Sequence, residues 1–294
     1  MTRSDYARLL SLAAIWGSSF MFMRLLAPVL GPLWTAQLRV GIAGLALCGY
    51  FAVIRLDCEW RRLWKEYLIT GLINTGVPFV LFSYAALHIP AAYSAIVNAT
   101  VPLWGTLFAA IWLKEKLTRA KLVGTALGIA GVAVATGIGT ETMSGEVMLA
   151  LLACTGAAIC YAFGGIYMKK YVKGANPMAI AGTSQLLAGV ALLPISVFIP
   201  MRAPPLPSTW AIATLFSLLC SAVAYILYYR LMEDIGPTRT FTVTFLVPVF
   251  AMIWGVLLLA EPVRLHMMIG AALVIGSTML VLELKPLGRR VAAS

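Results

Sequence analysis

Ten stretches of about 20 mostly apolar residues, joined by connections only a few residues long, constrain this chain more than any other feature. They run over 6–26, 32–54, 66–87, 90–113, 119–138, 146–168, 176–199, 208–231, 237–259 and 263–284. Each is rich in Leu, Ala, Ile, Val and Gly and does not alternate, whereas a barrel strand would be about ten residues with a two-residue period. A backbone in lipid must satisfy its own hydrogen bonds, and a helix of this length does so within one segment. The predicted fold class is therefore all-α integral membrane, with ten transmembrane helices. Pro32, Pro90, Pro177 and Pro237 stand at or beside predicted helix starts, where a missing N–H costs nothing.

Composition agrees. The 294 residues are 61% hydrophobic and 11% charged, against about a quarter charged in soluble domains. The formal net charge of +11 would suggest nucleic acid in a soluble protein. Here it reads as topology, and no nucleic-acid partner is expected. With the N-terminus inside, 18 of the 22 Lys and Arg fall in inner segments. These include Lys114, Lys116, Lys121, Lys169, Lys170, Lys285, Arg289 and Arg290. Only Arg24, Arg202 and Arg264 fall at outer ends, and Arg39 lies within a span. The expected topology has both termini cytoplasmic in a bacterial inner membrane. Arg3 precedes the first run and Arg8 stands in its first turn, ahead of the apolar stretch, and the segment reads as an uncleaved helix. Cys48, Cys154, Cys160 and Cys220 lie inside apolar runs and read as small buried hydrophobes.

The chain also repeats itself. Trp16, Arg24 and Pro32 recur as Tyr161, Lys169 and Pro177, each 145 residues later. Pro102, Glu115 and Gly124 recur as Pro248, Glu261 and Gly270, each 146 later. Five spans per half is an odd number, so the halves would cross the membrane in opposite senses. Inverted repeats of this kind are a transporter signature, with the solute site between the halves. The predicted divisions are 1–140, 145–287 and a basic tail at 288–294.

Trp16-Gly17-Ser18-Ser19-Phe20, Arg39, Pro102, Glu115 and the pairing of Pro248 with Glu261 together resemble the drug/metabolite transporter superfamily, in its ten-helix EamA-type branch. Within that branch the chain most resembles the YddG-type amino acid exporters. The resemblance implies a basket of helices around a central cavity. It implies that the third, fourth, eighth and ninth helices move most, while the fifth and tenth lie at the periphery.

A cavity for a zwitterion needs donors for a carboxylate, acceptors for an ammonium, and apolar or aromatic walls. Intramembrane polar groups are costly, so each is a candidate. Asn98 sits one turn before Pro102, and Asn74 one turn before Pro78; each reads either as a solute contact or as an interhelical hydrogen bond. Trp16, Phe79, Tyr84, Trp104, Tyr161, Tyr225 and Phe245 are the aromatic candidates, against ordinary packing. Arg39 reads as a gating or structural group with room to snorkel outward, or as a carboxylate anchor. Pro78, Pro102 and Pro248 read as flex points. Glu115 and Glu261 read as interfacial. Gly124 and Gly128 allow close helix packing, within the monomer or in a dimer; a monomer is expected.

No Asp or Glu lies deep in a span, and His88 and His266 fall in outer loops. Proton-coupled carriers place such groups on the path, so facilitative transport is expected. No Walker loop, HExxH, GxSxG or metal-ligand spacing occurs, so no enzyme, metal or cofactor is expected. The expected function is export of neutral amino acids, aromatic and others, by alternating access. The alternatives are another small metabolite or drug on the same fold, a channel, or an integral membrane enzyme.

Overall fold

The computed structural model describes residues 2–137 and 144–282. Lys285, Arg289, Arg290 and the tail at 288–294 lie outside them. Among the described residues the chain is all helical, and ten helices follow the ten apolar runs. They are α1 (Arg3–Leu30), α2 (Pro32–Val53), α3 (Trp60–Ala85), α4 (Ala91–Trp112), α5 (Arg119–Thr136), α6 (Gly145–Tyr171), α7 (Pro177–Phe198), α8 (Pro207–Ile235), α9 (Val243–Leu259) and α10 (Leu265–Val281). The first eight are long and apolar enough to cross a membrane, and α9 and α10 are shorter apolar helices. The ninth apolar run begins with a separate one-turn helix, Pro237–Thr240, which is why α9 is short.

Local chemistry sets the ends. Thr2 and Asp5 form a reciprocal capping box on α1. Thr118, Ser144 and Asn176 accept first-turn N–H groups of α5, α6 and α7. Gly31, between α1 and α2, adopts φ of 82°, which L side chains resist, so the chain reverses there within one residue.

The packing follows the repeat. α1 lies against α9, as its counterpart α6 lies against α4; α3 packs on α6, as α8 packs on α1. α2 and α7 meet each other across the middle, and α5 and α10 pair at one side. Local features repeat too. Wide π-helical turns interrupt α3 at Leu72–Gly76 and α8 at Leu218–Val223, 146 residues apart. Lys114 and Ala260, also 146 apart, both turn left-handed, with φ of 56° and 52°.

The α5–α10 contact is made by glycine. A Cβ on Gly124 would stand 2.6 Å from Val281, one on Gly131 would stand 2.9 Å from Leu273, and one on Gly270 would collide with Ala135. The Gly124/Gly128 stripe therefore packs inside this chain. The outward surface carries bare Leu45, Ile111, Leu152, Val197, Phe198 and Leu257. Apolar exposure on that scale calls for lipid as the solvent.

Candidate functional site

A cavity of about 230 Å³ lies between the two halves. That is smaller than the roughly 300–1,000 Å³ of pockets for drug-sized ligands, and suits a metabolite. Trp16, Ser19, Phe20 and Met23 of α1 line it, with Arg39 of α2 and Phe79 and Phe82 of α3. Asn98, Ala99, Val101 and Pro102 come from α4, Tyr161 from α6 and Tyr225 from α8. Phe241, which precedes α9, and Thr244 and Val247 of α9 complete the wall.

The lining is repeat-related. Tyr161 matches Trp16 at the 145-residue offset. Tyr225 matches Phe79, Thr244 matches Asn98 and Val247 matches Val101 at 146. The wall is broken backbone as well as side chain. α4 leaves the helix at Ala99–Thr100, two residues before Pro102. The freed Ala99 carbonyl accepts the Thr278 hydroxyl of α10 at 3.1 Å. The chain breaks again at Phe241–Thr242. In inverted-repeat carriers, solutes are held at interrupted helices of the repeat interface.

Arg39 dominates the electrostatics. It is 5% exposed, so it does not snorkel. Its guanidinium carbon lies 3.6 Å from the Phe79 ring centre and 4.7 Å from that of Phe216. Its Nε donates to Ser221 Oγ at 3.0 Å and one terminal nitrogen to Ser19 Oγ at 3.4 Å. Among the described residues no carboxylate comes within ion-pairing distance. Two hydroxyls and two ring faces soften the burial of a cation without neutralising it. The Asn98 side-chain carbonyl is buried and has no hydrogen-bond partner.

The cavity opens one way. Val101, Pro102, Tyr161 and Phe241 are shared with a wider vestibule of about 650 Å³, which continues past Gly105, Thr106 and Tyr228 to Glu115, Lys121 and Lys169. At the opposite end Phe20 meets Phe82 edge to face at 5.5 Å, and Met23, Leu26, Ala27, Leu30 and Ile89 are buried in one apolar cluster. Arg24 and Glu261 lie toward that end, 3.2 Å apart. Glu261, just past the end of α9, is largely enclosed by protein, with a side chain 12% exposed.

Of the residues singled out from sequence, Trp16, Arg39, Phe79, Asn98, Pro102, Tyr161 and Tyr225 are brought together on the cavity. The others stand elsewhere. Asn74 sits in the π turn of α3 against Gly164, where an added Cβ would be 2.7 Å from its Oδ1. The Tyr84 ring lies 5.1 Å from His88 near the closed end. Trp104 donates to Thr100 Oγ1 at 3.2 Å and lines a separate apolar pocket among α4, α5 and α6. Phe245 is buried against Phe241, edge to face. Pro78 and Pro248 are buried within their helices, away from the lining. Ser19, Phe20, Met23, Phe82 and Thr244 are lining residues that the sequence reading did not single out as solute contacts, whereas Phe241 is marked in the sequence by its spacing one turn from Phe245. Thr244 was reachable as the repeat partner of Asn98; Phe20 and Phe82 look like core from sequence.

Known proteins agree with this architecture. A solved crystal structure superposes with a TM-score of 0.67, covering 95% of this chain and 96% of its own at 17% identity. An uncharacterized transporter of Bacillus subtilis, YvbV, is 30% identical over 281 residues, 92% of this chain and 88% of its own length. The inner membrane transporter YedA of Escherichia coli K12, also uncharacterized, is 27% identical over 85% of this chain and 81% of its length. Protein PecM of Dickeya dadantii is 23% identical over 94% and 91%. The model of the EamA-like transporter family matches twice, over residues 6–137 and 148–283, one match to each five-helix half, and the chain belongs to that family.

Proposed function

We propose that this transporter exports neutral amino acids, aromatic ones included, by alternating access and down their own gradient. One observation carries the solute reading: Arg39 reaches an aromatic cavity with no carboxylate among the described residues to neutralise it. A guanidinium in that position favours a solute that brings its own carboxylate, because planar two-point pairing is what its donors match. Asn98 offers an acceptor for an ammonium, and rings from Trp16, Phe20, Phe82 and Phe241 offer a wall for a side chain. Arg39 is thus read as the carboxylate anchor in place of a gate. The vestibule ends among lysines, so by the positive-inside bias the open end is cytoplasmic, with both termini on that side of an inner membrane. Residues 1–140 and 145–287 are taken as the two inverted repeats of a monomer.

Purified protein in liposomes, loaded with unlabelled solute, tests this by counterflow of labelled phenylalanine, methionine and threonine. Saturable uptake is expected, unchanged when the proton gradient is collapsed. Phenethylamine, which lacks the carboxylate, should compete poorly. Uptake abolished by collapse would overturn the facilitative reading. No uptake of any of the three by folded protein would pass the lead to another small metabolite.

A further inference from the structure

The two halves make the same ion pair at opposite ends of the molecule. Arg24 Nε lies 3.2 Å from Glu261 Oε1, and Lys169 Nζ lies 3.1 Å from Glu115 Oε1. Lys169 follows Arg24 by 145 residues and Glu261 follows Glu115 by 146, so each pair joins the base of one half to the acid of the other. The backbone presents both acids alike. Each follows a left-handed residue, and each donates its N–H to a carbonyl six residues back, Ala109 at 3.2 Å and Gly255 at 3.0 Å.

The pairs are not equally engaged. Glu261 also accepts the Ala91 N–H, with its two oxygens at 3.0 and 3.3 Å, and Arg24 also donates to the Ala86 carbonyl at 2.6 Å. This knot ties α1, the α3–α4 connection and the end of α9 together at the closed end. Glu115 and Lys169 border the open vestibule, with side chains 41% and 65% exposed. The repeat position of Ala91 is Pro237, which has no N–H to give Glu115.

We propose that these pairs are the two latches of the transport cycle, enclosed in alternation: Arg24–Glu261 holds the end opposite the lysines shut in this state, while Glu115–Lys169, already in contact but exposed here, becomes enclosed and tightens when the vestibule closes. The pseudo-twofold relation makes each the image of the other, so a state open at the opposite end exchanges their environments. This rests on the alternating-access reading.

The test is the rate at which a membrane-impermeant maleimide, added from the lysine-rich side, labels a Thr106→Cys reporter in the vestibule, in full-length protein in oriented vesicles. The rate of the parent without the reporter is subtracted. Glu261→Gln should release the tight latch and slow labelling on the order of fivefold, and Arg24→Gln should do the same. Glu115→Gln should leave labelling as fast or faster. Opposite shifts from the two acids would support the latches even if no amino acid moved, in which case only the solute reading would fall. Unchanged labelling in folded Glu261→Gln and Arg24→Gln, or the same shift from all three, would overturn the proposal whether or not solute is carried.

Discussion

Arg39 has its guanidinium beside one phenylalanine ring, near a second and bonded to two serines, and none of these groups carries a negative charge. The Coulomb field in such a site is only weakly screened, so it is a strong selector among solutes. Arg39→Gln keeps a donor for Ser221 and removes the charge. A hydrogen bond to a charged group is worth about 1.5–3 kcal/mol, so the half-saturating phenylalanine concentration should rise roughly ten- to hundredfold in counterflow. Competition by phenethylamine should not weaken. Asn98→Ala removes the acceptor for the charged ammonium, a bond likewise worth about 1.5–3 kcal/mol, so phenylalanine should again weaken roughly ten- to hundredfold. The effect should vanish for 3-phenylpropionate, which has no ammonium; an equal loss for both solutes would assign Asn98 to helix packing.

At the scale of elements, the glycines of α5 and α10 set how closely those helices approach. Gly270 faces the α5 backbone at Ala135, whereas Gly276 on the same helix faces open space. Gly270→Ala should therefore destabilise by about 1–3 kcal/mol, seen as a lower thermal midpoint in detergent. Gly276→Ala should be neutral or stabilising, by up to about 1 kcal/mol of helix propensity. The prolines separate in the same way. Pro78 follows the π turn of α3, but α8 makes the same turn before Ala224, so proline is not its cause. Pro78→Ala should leave exchange rates near wild type. Pro102 stands at the break in α4 that lines the cavity, and Pro102→Ala should slow exchange more than it changes affinity. A binding defect without a rate defect would assign Pro102 to the site itself.

At the scale of the whole molecule, the two halves enclose one path that is wide at the lysine-rich end and packed shut at the other. Gly105 lies on the vestibule with open space beside it. Gly105→Trp should obstruct the path without straining the fold, cutting turnover by about tenfold or more while the thermal midpoint holds, since a blocked path acts on access and leaves packing alone. An unimpeded rate would mean that solute reaches the cavity by another route.

Sequence alone determined the ten helices, their class and the relation between the halves. Span length, charge bias and a repeat offset are one-dimensional properties, set by bilayer thickness and by the cost of moving charge through lipid. It also placed seven candidates that share the cavity, because repeat partners such as Trp16 and Tyr161 face a common space. Only the tertiary structure decided which way each remaining side chain points. Phe241 and Phe245 are one turn apart, yet the break at Phe241–Thr242 resets the helix phase and leaves only Phe241 on the cavity. Asn74 is turned against Gly164 in the π turn of α3, and Trp104 faces the side pocket beyond the break in α4. Rotation about a helix axis is fixed by glycine contacts and broken turns between segments far apart in sequence, and hydropathy along one segment does not record it.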